Sequence, residues 1–478
     1  MSNEVSLFCN LKILLPVIAI ALGGIFSLVM ESFFSLDRKH RGLPWINIFF
    51  LAVAAYFVKV ISGDFNDPWN LFSINHVKEI FLYAIVLCSA VGTAALQNTL
   101  KNGNTMCGEA YSLLMFSAAG ISLMVLSTDL MPLFLGMELA SFPIYALIAM
   151  NRYSKESNEA AFKYFVSGTA LSAVFLYGIA MFYGATGSTL IGSDVLAGRN
   201  TVYQAAIFML SFGLLFKVGA FPLHFWVADA YTGALAAVTG YMAAVVKIGA
   251  FLALGTLWLG LFGSSASVVI TREAALFLGL GVASVVVGAI TGLAQISARR
   301  ILAFSAIANA GFILFGFCYP YFANSPRLDL DSAYYFLLTY SIASIGALAG
   351  ISALVSDYDD FEALRATACR NPFLGVCISV CLASLAGLPV AAGFLAKFRI
   401  FANLVSISFK TPVVWGIAIT AFVLAIISAV YYLRIIYFIW SYTNRATVKK
   451  RNKTSFLLNA TVGMAAVTLL VLAVWAPM

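Results

Sequence analysis

The chain has 478 residues, 62% of them hydrophobic and 10% charged, with a formal net charge of +8. A soluble domain carries about 25% charged residues, so this chain lacks the polar surface to cover a water-soluble core. That excludes a soluble enzyme, and it excludes a nucleic-acid binder too, because the positive charges sit in short loops between apolar runs, where they set topology.

The apolar runs begin near Ile13, Trp45, Val77, Met106, Leu130, Ala160, Val202, Ala234, Ala274, Ile301, Ala333, Phe373, Pro412 and Phe456. Each has the length of roughly twenty residues that a helix needs to cross a bilayer. The expected fold is an all-α membrane protein of about fourteen transmembrane helices in one polytopic domain over residues 1–478. The first run, Ile13 to Phe34, is too long for the core of a signal peptide and lacks a small-residue cleavage site, so it reads as an uncleaved span. The longest polar stretches, Ser356–Asn371 and Ser441–Thr454, are too short to hold a soluble domain.

Loop charges give the orientation. With that span count one face collects Arg38, Lys39, Arg41, Lys101, Arg152, Lys155, Arg299, Arg300, Arg365, Arg370, Arg445, Lys449, Lys450, Arg451 and Lys453. The other collects only Lys12, Lys78, Arg199, Arg272, Arg327 and Lys410. The positive face is cytoplasmic, which puts both termini on the opposite side.

Two spans carry helix breakers. The seventh contains Phe216-Lys217-Val218-Gly219-Ala220-Phe221-Pro222, and the twelfth contains Ala386-Gly387-Leu388-Pro389 followed by Gly393 and Lys397. A proline frees a backbone carbonyl that lipid cannot satisfy, so both breaks should face protein or water. Broken helices at matching positions point to inverted repeats around a transport site. The expected repeats are residues 106–260 (spans four to eight) and 274–440 (spans nine to thirteen), with 1–105 and 441–478 flanking.

Ionisable residues inside the membrane are costly and are paired, hydrated or functional. Here they are Glu138, Lys163, Lys217, His224, Asp229, Lys247 and Lys397. Lys59, Arg399 and Arg434 lie nearer span ends, where a long side chain can snorkel. Burial disfavours the charged form of an amine and a nearby carboxylate favours it, so a lysine between the two influences can change protonation when its partner moves. Lys217, Lys247 and Lys397, with Glu138, therefore read as stations of a proton relay. The alternative, three structural salt bridges, is short of carboxylates. Lys163 could snorkel or compete for Glu138. His224 could pass a proton or cap the broken helix.

The seven cysteines contain no Cys-x-x-Cys, and the three histidines are far apart. No spacing suggests zinc, haem or an iron–sulfur cluster, so no cofactor is expected on this chain.

Several stretches together carry a likeness: Phe134-Leu-Gly-Met-Glu-Leu-Ala-Ser-Phe-Pro-Ile-Tyr145, Glu159-Ala-Ala-Phe-Lys-Tyr-Phe165, Phe216-Lys-Val-Gly-Ala-Phe-Pro-Leu-His-Phe-Trp226, Arg299-Arg-Ile-Leu-Ala-Phe-Ser305, Ser384-Leu-Ala-Gly-Leu-Pro389 and Gly393-Phe-Leu-Ala-Lys-Phe398. In these the chain resembles the subunit N family of NADH:quinone oxidoreductase, respiratory complex I. The resemblance implies a fourteen-helix, antiporter-like, proton-translocating subunit without redox chemistry of its own. NADH, FMN, iron–sulfur clusters and quinone would be bound by partner subunits. The partners would be other membrane subunits, neighbouring antiporter-like ones included, within a lipid bilayer. The location would be a bacterial inner membrane, or the mitochondrial inner membrane as the alternative. In the family a glutamate of the fifth span pairs with a lysine of the seventh, matching Glu138 and Lys217. Lysines of the eighth and twelfth spans match Lys247 and Lys397. The chain departs from the family pattern in Trp226-Val-Ala-Asp-Ala-Tyr-Thr-Gly-Ala-Leu235, in Asn309 where histidine is frequent, and in Val390 after Pro389. An antiporter subunit without redox coupling and a non-conducting scaffold are the competing readings.

Overall fold

The computed structural model describes residues 2–34, 36–63, 65–67, 69–102, 108–192, 201–262, 268–322, 330–354, 361–365, 367–389, 391–409, 413–441 and 454–475. Met106, Cys107, Arg199, Arg327, Val390, Lys410, Arg445, Lys449, Lys450, Arg451 and Lys453 lie outside the described residues. So do the side chains of Cys9, Arg38, Lys39, His40, Arg41, Lys101, Arg272, Cys369 and Arg370.

Among the described residues, 13 helices are long and apolar enough to cross a membrane. The first seven are Lys12–Phe33, Gly42–Val60, His76–Leu100, Glu109–Leu126, Leu130–Ile148, Lys155–Thr186 and Thr201–Val218. After these come Ala236–Gly260, Ala274–Leu293, Ala298–Cys318, Asp331–Leu354, Val414–Trp440 and Phe456–Val474. The remaining crossing, twelfth in order, is interrupted: Pro372–Ala386 ends and Ala392–Ser408 resumes. The order and number agree with the runs read from the sequence. The sixth span starts earlier than its apolar run because Ser154 caps it, accepting the N–H of Ser157. Its 32 residues exceed what a hydrocarbon core of about 30 Å requires.

Serine and threonine hydroxyls within the spans mostly bond back to carbonyls of their own helix, as Ser122 does to Ala118 O at 2.9 Å and Thr93 to Ser89 O at 2.8 Å. A hydroxyl bonded in this way leaves no proton unpaired toward lipid. One non-helical element was not anticipated. Phe65–Asn66 pairs antiparallel with Ser73–Ile74, and Asn70 turns the chain between them at φ 54°.

The described residues cluster into two compact units. One comprises Met1–Thr93, Met106–Val218 and Val245–Ser265; the other comprises Ala94–Thr105, Gly219–Ala244 and Ala266–Met478. In the first, the fourth and fifth spans meet backbone to backbone. A Cβ on Gly120 would stand 2.7 Å from Gly136 O, and one on Gly136 would stand 2.8 Å from Gly120 O. In the second, the ninth and tenth spans meet in the same way through Gly281 and Gly311, each against the carbonyl of the other. Small residues that let helices approach this closely supply the van der Waals contact that the hydrophobic effect cannot supply in lipid.

Candidate functional site

The fifth span begins at Asp129, whose carboxylate accepts from Met131 N at 2.8 Å and from Thr189 Oγ1 at 2.6 Å. From that fixed start, Glu138, Ser141 and Tyr145 fall at i, i+3 and i+7 and share one helix face. Glu138 is half-buried, and its Oε1 accepts from Ser172 Oγ of the sixth span at 2.5 Å. Lys217, in the last turn of Thr201–Val218, is 3% exposed. Its Nζ donates to Ser141 Oγ at 2.7 Å and stands 5.8 Å from the centre of the Tyr145 ring. Ser141 in turn donates to Met137 O at 2.6 Å. The pair expected of Glu138 and Lys217 is therefore not a direct contact. A serine hydroxyl one turn along from the glutamate receives the amine.

The seventh span ends where Gly219 takes φ 72°, and a short helix, Phe225–Gly233, follows. The N–H of Phe221, freed by the break, donates to Ser284 Oγ of the ninth span at 2.9 Å. Pro222 lies in the exposed turn between the helices rather than inside either one. His224 occupies the N-cap position of Phe225–Gly233, but its side chain makes no capping bond. Its ring stacks on Phe221 at 5.5 Å, and its Nδ1 has no hydrogen-bond partner among the described residues. The capping alternative for His224 is thus corrected. Asp229 is half-buried on the same short helix.

The eighth span contains one π turn, Met242–Val246, and Lys247 is the first residue after it, 2% exposed. An inserted π turn rotates the residues that follow it relative to those before, and such turns concentrate at functional positions.

At the twelfth span, Gly387 at φ 80° closes the first half, its N–H and that of Leu388 both reaching Ala383 O at 3.0 Å. The last carbonyls of a helix have no partner within it. Here Lys397 supplies one from the second half. Its Nζ donates to Leu385 O at 2.9 Å and Ala386 O at 3.1 Å, and it lies 5.7 Å from the centre of the Phe312 ring. Ser384 Oγ accepts the N–H of Gly393 at 3.1 Å, and a Cβ on Gly393 would fall on the Ser384 carbonyl. Lys397 is 7% exposed. It lines a small cavity with Asn309, Thr339, Tyr340 and Ser384. Pro389, like Pro222, sits exposed in the turn.

Lys163 pairs with Glu159 at 2.7 Å on an exposed helix face. Arg399 and Arg434 do not simply snorkel. Their guanidinium groups lie 4.5 Å from the centre of the Tyr335 ring and 4.4 Å from that of Phe361. Lys59 is exposed. Lys78, read as a loop charge, is 7% exposed and donates to Ser73 Oγ at 2.8 Å and to Leu126 O at 3.3 Å. Its signal was its place at the head of an apolar run. Ser141 could have been found by its helical spacing from Glu138. Ser172 and Ser284 had no signal, since only the fold brings them to their partners. Among the described residues no group of three or more His, Cys, Asp or Glu could hold a metal ion.

The family described as "NADH:quinone oxidoreductase/Mrp antiporter, TM" matches residues 127–424, more than half of the chain, and the match includes Glu138, Lys217, His224, Asp229, Lys247 and Lys397. The chain belongs to this family. A family member from Trichlorobacter lovleyi, NADH-quinone oxidoreductase subunit N, is 32% identical over 90% of this chain and 88% of its own length. The subunit N of Acidithiobacillus ferrooxidans is 34% identical over 80% of this chain and 78% of its own length. Among solved structures, a chain of respiratory complex I from Thermus thermophilus is 29% identical and superposes with a TM-score of 0.76 over 96% of both chains. A chain of the Mrp complex from Dietzia sp. shares the fold, with a TM-score of 0.81 over 97% of this chain and 94% of its own, at 19% identity. The chain is an antiporter-like, multi-pass membrane protein.

Proposed function

We propose that this chain is the subunit N of an NADH:quinone oxidoreductase and that it translocates protons through Glu138, Lys217, Lys247 and Lys397. Electron transfer from NADH to quinone takes place on partner subunits, which hold the FMN and iron–sulfur clusters. The chain is the translocating, non-redox part of the enzyme, in a bacterial inner membrane with both termini on the non-cytoplasmic side.

The observation that carries this reading is the set of acceptors around the buried amines. Lys217 donates to a serine hydroxyl and Lys397 to two backbone carbonyls, all of them neutral oxygens. A permanent ammonium in a low-dielectric interior needs a counter-charge, and breaking such a pair costs about 3–5 kcal/mol. Amines that are not always charged fit these surroundings, and amines that alternate between charged and neutral carry protons. Glu138 lies within electrostatic reach of Lys217. Movement of the fifth span against the seventh would change the charge that Lys217 feels. The π turn before Lys247 and the break beside Lys397 give the other two stations helices with room to rearrange. His224 and Asp229, on the segment after the first break, are candidates for a side branch.

The repeats at 106–260 and 274–440 belong to the same reading. Each opens with a helix pair closed by reciprocal glycines, and each carries its break in its fourth helix. Two halves built alike would give each break its own pathway to one membrane face.

The test is Lys217→Ala in membranes containing the whole complex. Protons translocated per NADH oxidised should fall while the chain still co-purifies with flavin and iron–sulfur subunits. An unchanged ratio in an assembled complex overturns the relay. Sodium-dependent transport without NADH oxidation, from a chain that purifies free of redox subunits, would instead make it an antiporter subunit.

A further inference from the structure

At the break of the twelfth span an amine stands in a geometry that tolerates both of its protonation states. An ammonium has three hydrogens, and a neutral amine has two and a lone pair. Lys397 Nζ places two hydrogens on Leu385 O and Ala386 O. Those two bonds survive in either state. The proton is gained or lost at the third position alone, and the backbone of the break keeps its partners throughout.

The same side chain lines a cavity with Asn309, Thr339, Tyr340 and Ser384. A buried water needs about 2–4 polar partners, and this wall offers them. The lining groups differ in how they are held. Thr339 Oγ1 bonds to its own helix, to Phe336 O at 3.0 Å. Ser384 Oγ holds the N–H of Gly393. Asn309 is fixed across helices: Nδ2 donates to Ser305 O at 2.8 Å and to Tyr432 Oη at 3.0 Å. Tyr432 is itself fixed, donating to Ser305 Oγ at 2.7 Å. Both amide hydrogens are thereby used, and the carbonyl oxygen of Asn309 is left to receive another donor.

We infer that Asn309 is a positioning residue for proton exchange at Lys397: its side-chain oxygen orients a water in this cavity, and that water takes the proton from the third position of Nζ. This rests on the proton-carrying reading of Lys397. In the step the third N–H bond breaks, its electron pair stays on nitrogen, and the water oxygen forms the new O–H bond and bears the charge. Asn309 takes no proton. Because its amide does not ionise, no second charge in the cavity competes with Lys397.

The experiment uses membrane vesicles containing the assembled complex and three variants, Asn309→Leu, Asn309→Ala and Lys397→Met. Asn309→Leu should lower protons translocated per NADH oxidised by about two- to tenfold, the range set by one hydrogen bond. It should also enlarge the solvent deuterium isotope effect on pumping, and it should leave uncoupled electron transfer unchanged. A merely structural role would lower assembly and electron transfer and would leave the isotope effect alone. The inference is overturned if Asn309→Leu keeps the wild-type ratio while Lys397→Met lowers it. If Lys397→Met also keeps the ratio, the relay itself fails at this station. Should Asn309→Leu not assemble, the smaller Asn309→Ala, which removes the same side-chain oxygen, is read by the same criteria.

Discussion

The two broken spans solve the same problem with their lysines on opposite sides of the break. In the seventh, Lys217 precedes Gly219 and reaches outward to Ser141 on another helix, one turn from a carboxylate. In the twelfth, Lys397 follows Gly387 and reaches back to carbonyls of its own span. The freed N–H groups are treated alike, each taken by a serine hydroxyl, Ser284 for Phe221 and Ser384 for Gly393. In the proposed relay the first amine would respond when the neighbouring helix moves, whereas the second, tied to its own break, would be set locally by the cavity it lines.

Substitutions can break this comparison. The largest effect should come from glycines at the breaks. Gly393→Ala puts a methyl group on the Ser384 carbonyl, and overpacking against backbone costs about 3 kcal/mol or more. Gly219→Ala forces alanine into a left-handed conformation, at about 1–2 kcal/mol. The yield of assembled chain and its thermal unfolding in detergent should therefore fall further for the first than for the second. Next comes Ser141→Ala, which removes the hydroxyl that receives Lys217 at a cost of about 1–3 kcal/mol. It should lower protons pumped per NADH, and Ser141→Thr should restore them. Ser284→Ala leaves the N–H of Phe221 without its acceptor and should cost about 1 kcal/mol, visible as faster amide exchange or proteolysis around 219–224. The smallest change should follow Lys163→Gln. An exposed i,i+4 ion pair is worth about 0.3–0.5 kcal/mol, and pumping should stay at the wild-type ratio. A large pumping defect there would return Lys163 to the path.

Much of this was legible in the sequence because the bilayer imposes one strong rule. Runs of apolar residues near twenty long gave the spans, and Gly and Pro beside a lysine gave both breaks. The start of the sixth span was hidden because its first turns are polar and owe their helicity to the Ser154 cap. The ribbon at 65–74 was hidden because two-residue strands have no periodicity to read. The site was legible in its charges but not in their partners. Lys217 and Lys397 were recognisable as buried, yet Ser141 lies 76 residues from the amine it receives. Tyr432 lies 123 residues from Asn309. Local pattern cannot report contacts at that separation. It also counted Lys78 with the loops, where burial against Ser73 and Leu126 O makes it part of the packed interior.

The central claim is that Lys217 and Lys397 work by changing protonation rather than by holding charge. Lys→Arg separates the two, because arginine keeps the positive charge and the donors but does not deprotonate in proteins. The measurement is protons translocated per NADH oxidised by complexes carrying Lys217→Arg or Lys397→Arg, each verified as assembled and active in electron transfer. Electron transfer persisting with proton translocation largely lost is the expected result. Wild-type proton translocation with arginine at either position would contradict the claim.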